Sequence, residues 1–153
     1  MRNVTGLVLW VLVSLGAGLV GSQFMPGDWY AALAKPSWNP PNTVFAPVWT
    51  TLYVMMGVAA WMVWRVAGFS GARGALSLYF VQLVLNGLWS YLFFGAHLPM
   101  VAFFEIVLLW IVILMTFVSF RRVRPAAGAL LVPYLCWVGF AAALNYQLWR
   151  LNT

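Results

Sequence analysis

Five long apolar stretches separated by short joints constrain this chain more than any other feature. They run Val4–Phe24, Val44–Arg65, Gly74–Phe94, Pro99–Phe120 and Pro125–Trp149. A helix needs about 20 residues to cross the hydrocarbon of a bilayer. Backbone groups left unpaired in lipid are costly, so only helices or closed barrels span it. Uninterrupted runs of this length suit helices. Hydrophobic residues make up 65% of the 153 and charged residues only 7%. A soluble domain of 17.1 kDa has too large a surface fraction to hide that much apolar area. The expected fold is all-α, an integral membrane bundle of five transmembrane helices forming one domain over residues 1–153.

Four joints connect the stretches, and three are short: Gly68–Gly74, Gly95–Leu98 and Arg121–Arg124. Only the first, roughly Met25 to Thr43, is long enough to carry structure of its own. Within it Asp28 is placed to N-cap a short helix over Trp29–Ala34. Pro36 disfavours helix at Lys35 and ends it. Pro47 and Pro99 fall in first turns, where a missing N–H costs little. Pro133 lies inside the fifth stretch and is expected to bend it. No internal repeat is visible, which disfavours a transporter built from inverted halves. The run from Val4 is too long for the core of a signal peptide and no small-residue cleavage site closes it, so it reads as a retained helix.

With the N-terminus inside, Arg2, Arg65, Arg73, Arg121, Arg122 and Arg124 face the cytoplasm, and Lys35 and Arg150 face out. Six against two favours a cytoplasmic N-terminus and an external C-terminus in a bacterial cell membrane. The long first joint then lies on the outer face. The net charge of +6 sits at segment ends. It does not form the basic, aromatic-interleaved run that tracks nucleic acid. Cys136 is the one cysteine, so a self-contained thiol oxidoreductase is excluded. No His, Cys or carboxylate cluster has metal-ligand spacing.

The aromatic and polar residues inside the stretches fall on particular helix faces. Residues at i, i+3, i+4 and i+7 share a face. Gln82, Asn86, Trp89 and Phe93 therefore line up, as do Trp49, Tyr53 and Met56. Trp137, Ala141, Leu144 and Leu148 align with Asn145 beside them. Amides facing lipid are costly, so Gln82 and Asn86 point into the bundle. Two readings stay open at that point: interhelical hydrogen bonding with aromatic packing, or a lined ligand pocket. Ala141 beside Trp137 leaves room for a ligand. Glu105 is the only acid inside a stretch, at a cost of about 2.5–3.5 kcal/mol if charged at mid-bilayer. It is expected to be protonated, structurally paired or water-facing. Of the ten tryptophans, Trp10, Trp61, Trp64, Trp110 and Trp149 read as interface or lipid-facing residues.

Taken together, these pieces resemble one family. Trp29-Tyr30, Lys35-Pro36-Ser37-Trp38-Asn39-Pro40-Pro41 and Pro47-Val48-Trp49-Thr50-Thr51-Leu52-Tyr53 look like the translocator protein/tryptophan-rich sensory protein (TspO/MBR) family. Gln82 to Trp89 with Phe93-Phe94-Gly95-Ala96 is similar to its third helix. Pro133-Tyr134-Leu135-Cys136-Trp137 and Ala143 to Arg150 resemble its fifth. The resemblance covers nearly the whole chain in order.

It implies a five-helix bundle, often a homodimer, with a cavity roofed by the first joint. It implies flat ligands: porphyrins such as protoporphyrin IX, haem-related tetrapyrroles, sterols and benzodiazepine-type compounds, with no cofactor required. Carried onto matching positions, the ligand residues are Tyr30, Trp38, Trp49, Asn86, Trp89 and Trp137, beside Ala141. Leu144, Asn145, Tyr146 and Arg150 match the sterol-recognition segment. Some relatives are reported to degrade porphyrin in light and oxygen, with tryptophans at the positions of Trp49 and Trp137. Gly87, Ala141 and Glu105 depart from some relatives.

Physically, indoles stack on a wide apolar face at offset geometries, and such a pocket tolerates many flat ligands. Lys35 is a candidate cation for the propionates of a porphyrin. The expected function is a membrane receptor or sensor of tetrapyrroles. The alternatives are light-dependent porphyrin degradation at Trp49 and Trp137, or porphyrin or sterol transport.

Overall fold

The computed structural model describes residues 2–24 and 26–153, and among them every regular element is helical. The elements are α1 (Arg2–Gly21), α2 (Asp28–Ala32), α3 (Asn42–Gly71), α4 (Arg73–Ser90), a π-helical turn (Tyr91–Gly95), α5 (Pro99–Val123) and α6 (Pro125–Leu151). Five helices are long and apolar enough to cross a membrane, as the five stretches require. Met25, at the start of the first joint, lies outside the described residues.

The spanning helices close into a ring. α1 packs on α3, α3 on α6, α6 on α5, α5 on α4, and α4 back on α1. α1 and α3 cross at Gly57, where an added Cβ would stand 2.6 Å from Val11 Cα and 2.9 Å from the Trp10 carbonyl oxygen. That approach is possible only without a side chain. α5 and α6 meet just as closely at their joint, where Gly128 faces the backbone of Arg121.

Several boundaries differ from the sequence expectation. α3 begins at Asn42, after Pro41, and continues past Arg65 to Gly71. Pro47 therefore sits inside the helix rather than in its first turn, and the Thr43 carbonyl loses its usual i+4 donor. Nothing between Arg65 and Gly68 breaks a helix. Gly68 does, with φ of 67°, and a last turn follows it, so the expected loop from Gly68 to Gly74 shrinks to Ala72. In the first joint Asp28 is the first residue of α2, not its cap. Gly27 occupies the cap position, no side chain bonds there, and the helix ends at Ala32 with Leu33 extended. Pro99 and Pro125 do stand in the first turns of α5 and α6.

Two of the tryptophans assigned to the membrane surface have other roles. Trp10 is buried, its ring 5.6 Å from Tyr79 and 5.9 Å from Phe80. Tyr79 in turn shares a buried hydrogen bond with Ser14, which ties α1 to α4. The indole N–H of Trp110 donates to the Leu135 carbonyl at 3.0 Å, joining α5 to α6. Trp61 keeps a partly exposed place, with the Arg65 guanidinium 4.8 Å over its ring.

Candidate functional site

A cavity of about 420 Å³ opens inside the ring at the end where the first joint crosses the bundle. Its walls come from α1, the first joint, α3, the α4 end with the π turn, and α6. Trp49, Trp89 and Trp137 line it together with Tyr30, Phe45, Phe93, Phe94 and Phe140. Trp49 stacks on Tyr53 at 5.8 Å and meets Trp137 edge-on at 6.3 Å. Trp89 stacks on Phe93 at 5.6 Å. The π turn produces part of this surface. Its Ala96 N–H reaches the Tyr91 carbonyl at 2.7 Å, and the turn buries Phe93 while Phe94 also reaches the wall. Gly18 keeps α1 thin where it passes the Tyr53 ring, since a Cβ there would lie 2.6 Å from it.

Among the described lining residues there is no Lys, Arg, Asp, Glu or His, and no Cys or Met. Leu19, Ser22, Asn42, Ala46 and Thr50 line the cavity and are exposed, so its open flank lies between α1 and α3. The wall hydroxyls of Thr50 and Ser22 are already used, donating to the Ala46 and Leu19 carbonyls at 2.8 and 2.7 Å. Trp89 donates to the Asn145 side-chain oxygen at 2.9 Å, and the Asn145 amide donates to the Pro99 carbonyl at 2.8 Å. The Trp137 N–H, by contrast, is buried with no hydrogen-bond partner among the described residues.

Beside the cavity runs a chain of buried polar groups. Tyr53 Oη donates to Asn86 Oδ1 at 2.6 Å, and Asn86 Nδ2 donates to Tyr134 Oη at 2.8 Å. Tyr134 Oη donates to Gln82 Oε1 at 2.6 Å, and Gln82 Nε2 reaches Met56 Sδ at 3.7 Å. The chain joins α3, α4 and α6. In it the Asn86 amide bonds between helices, and Asn86 is not among the residues that line the cavity.

The first joint lies as a roof, fastened at several points. Ala34 exchanges two hydrogen bonds of 2.9 Å with the Asn152 side chain, beyond the end of α6. The Trp29 ring stacks flat on His97, centroids 4.4 Å apart and planes 6° apart. Tyr30 is buried against Phe93 and Phe94 and donates to Asn39 Oδ1 at 3.0 Å. Burial raises the Tyr30 hydroxyl above its ordinary pKa, and the Asn39 bond acts the other way.

The residues expected at the site thus separate. Tyr30, Trp49, Trp89, Trp137 and Ala141 line the cavity; Trp38 and Asn86 do not. Trp38 is half exposed and rests edge-on against Phe140 at 5.6 Å, one layer behind the wall. The sterol-recognition segment is divided by helix geometry. Leu144 and Asn145 face the cavity, while Tyr146 faces outward beside Phe103 and Trp149, and Arg150 is exposed. Lys35 is not at the cavity: its ammonium donates to the Ala31 and Leu33 carbonyls at 3.2 and 3.1 Å and lies over the Tyr30 ring. Glu105 is buried in α5 and neither carboxyl oxygen has a hydrogen-bond partner, so the expected structural pair is absent among the described residues. No group of three or more potential metal ligands gathers among those residues.

Phe45, Phe140 and Asn152 were missed. Phe45 and Phe140 sit four before Trp49 and three after Trp137, a spacing that could have found them. Nothing in the sequence ties Asn152 to Ala34.

A model of the TspO/MBR family matches residues 8–150. The chain is 43% identical to the tryptophan-rich protein TspO of Chlorobaculum tepidum, over 99% of this chain and 98% of that one. It is 48% identical to the translocator protein of Sus scrofa, over 91% of this chain and 85% of that one. Protein CrtK of Rhodobacter capsulatus is 40% identical over 98% of this chain and 94% of its own length.

Proposed function

The chain belongs to the TspO/MBR family, and from that premise we propose that it is a membrane receptor, or sensor, for porphyrins and related flat apolar molecules. The observation that carries this reading is the neutral cavity walled by Trp49, Trp89 and Trp137. Indole faces and edges offer a tetrapyrrole contact over its width. A site with so few directional groups also accepts sterols and benzodiazepine-type compounds. The described walls offer a tetrapyrrole aromatic faces and edges, so it is held by its faces. With no cation there, its propionates belong at the open flank near Ser22 and Asn42, in contact with the polar interface.

Titrating purified protein with protoporphyrin IX in the dark, while following tryptophan emission and Soret absorbance, tests the receptor. Saturable quenching without bleaching is expected; absence of quenching refutes it. Light-driven porphyrin degradation is the second reading, favoured by one observation. The Trp137 N–H is unpartnered and its ring touches Trp49, so both indoles are free to react with oxygen species formed on a bound porphyrin. It requires Soret bleaching in light and oxygen that slows in Trp49→Phe and Trp137→Phe. Bleaching at the rate of porphyrin in detergent alone refutes it. The bacterial orientation, with an external roof, predicts that Ser37→Cys in intact cells reacts with a membrane-impermeant maleimide.

A further inference from the structure

A second hollow lies on the outside of the ring, in the seam between α3 and α6. Its volume is about 580 Å³. Val48, Leu52 and Met55 form the α3 side, and Cys136 stands on the α6 side. A proline from each helix, Pro47 and Pro133, stands on its rim, and both are exposed. Thr51 brings the one hydroxyl, and that group already donates to the Pro47 carbonyl at 2.8 Å. Beyond the Cys136 thiol, a weak donor, the groove offers a ligand no accessible free polar side chain.

Two of its residues, Trp137 and Phe140, also line the inner cavity. They form a one-residue-thick partition between the two spaces. Trp137 is held there by ring contacts alone, 5.5 Å to Phe140, 6.1 Å to Phe45 and 6.3 Å to Trp49, since its N–H bonds to nothing. Trp89, the opposite wall indole, is locked by Asn145.

We propose that this groove is a binding site for one acyl chain of a bilayer lipid, and that its occupancy sets ligand affinity in the inner cavity through Trp137 and Phe140. The occupant follows from place and chemistry. Both walls belong to membrane-length helices, the rim residues face outward, and a predominantly apolar groove facing hydrocarbon selects a chain over a polar group. A chain packed on the outer face of Trp137 restricts the movement of that ring into the groove. A ligand packed on the inner face presses it the other way. Coupling of this kind is reciprocal between the two sites. The coupling rests on the receptor reading above; the lipid site does not.

Filling the groove tests both parts. Cys136→Trp and Met55→Trp each place a ring where the chain would lie. Val132→Trp is the control, because Val132 is an exposed α6 residue outside both spaces. Native mass spectrometry from mild detergent is expected to show the two filled variants retaining one phospholipid fewer than the parent and the control. In nanodiscs in the dark, their protoporphyrin IX Kd is expected to shift at least threefold, with the control unchanged. Equal lipid retention in parent and filled variants overturns the site. Lost lipid with unchanged Kd overturns the coupling. Failure of the parent protein to bind porphyrin removes the receptor reading and the coupling with it, while the retention comparison still decides the lipid site.

Discussion

The indoles of Trp49 and Trp137 meet edge to face, with centroids 6.3 Å apart and planes at 85°. The contact joins α3 to α6 across the cavity wall and sets two indoles of different orientation against one space. Trp49 is further braced by Tyr53 and by Tyr134, 6.4 Å away. Trp137 is braced in turn by Phe45 at 6.1 Å and Phe140 at 5.5 Å.

Removing either indole is expected to weaken porphyrin binding by about 1–2 kcal/mol, roughly 5- to 30-fold in Kd. Losses of similar size are expected from Trp49→Ala and Trp137→Ala, since each indole lines the cavity and makes two further ring contacts. Fluorescence titration in the dark measures both. Affinity unchanged in both variants refutes the cavity as the ligand site.

Asn86→Leu is expected to lower stability while leaving the cavity walls in place. It strands the Tyr53 hydroxyl, which donates to that amide, and takes from the Tyr134 hydroxyl the donor it accepts from, leaving only its bond to Gln82. An unsatisfied buried polar group costs about 1–3 kcal/mol. Thermal unfolding in detergent should show a drop of several degrees. A fall in affinity with no loss of stability would instead make Asn86 a ligand contact.

Glu105→Met is expected to stabilise the protein. The carboxyl is buried with both oxygens unpartnered, so the parent carries a desolvation cost that an apolar side chain of similar length removes. A rise in melting temperature is the expected outcome. A marked fall would mean that Glu105 has a partner in the assembled membrane protein.

Gly57→Ala, at the α1–α3 crossing, and Gly16→Ala, at an exposed position of α1, form a matched pair. At Gly57 the new methyl meets backbone atoms of α1, which cannot rotate away, and overpacking costs about 1–3 kcal/mol. At Gly16 nothing lies within 4 Å, and alanine gains helix propensity of about 1 kcal/mol. The first should unfold at lower temperature than the parent and the second at equal or higher temperature. Similar melting of the two variants would show that the close crossing is not under strain.

Much was legible from residue order alone. Length and apolarity determine five helices, because a bilayer leaves the backbone no other way to satisfy its groups over such runs. Periodicity placed Gln82, Asn86 and Trp89 on one inward face and Trp137, Ala141 and Leu144 on another. A long first joint among short ones marked a segment with structure of its own.

What the helices do to one another was decided only in the tertiary structure. Periodicity gives a face but not its partner, so Asn86 pointed inward in either reading. The positions of Tyr53 and Tyr134 gave its amide hydrogen-bond partners on α3 and α6. Trp38 and Lys35 sit in a loop whose path depends on distant contacts, such as Ala34 with Asn152, 118 positions apart. Trp10 read as a membrane-surface residue until Gly57 let α3 approach it. Local spacing determines which side of a helix is apolar; which indoles share a cavity depends on how five helices close into a ring.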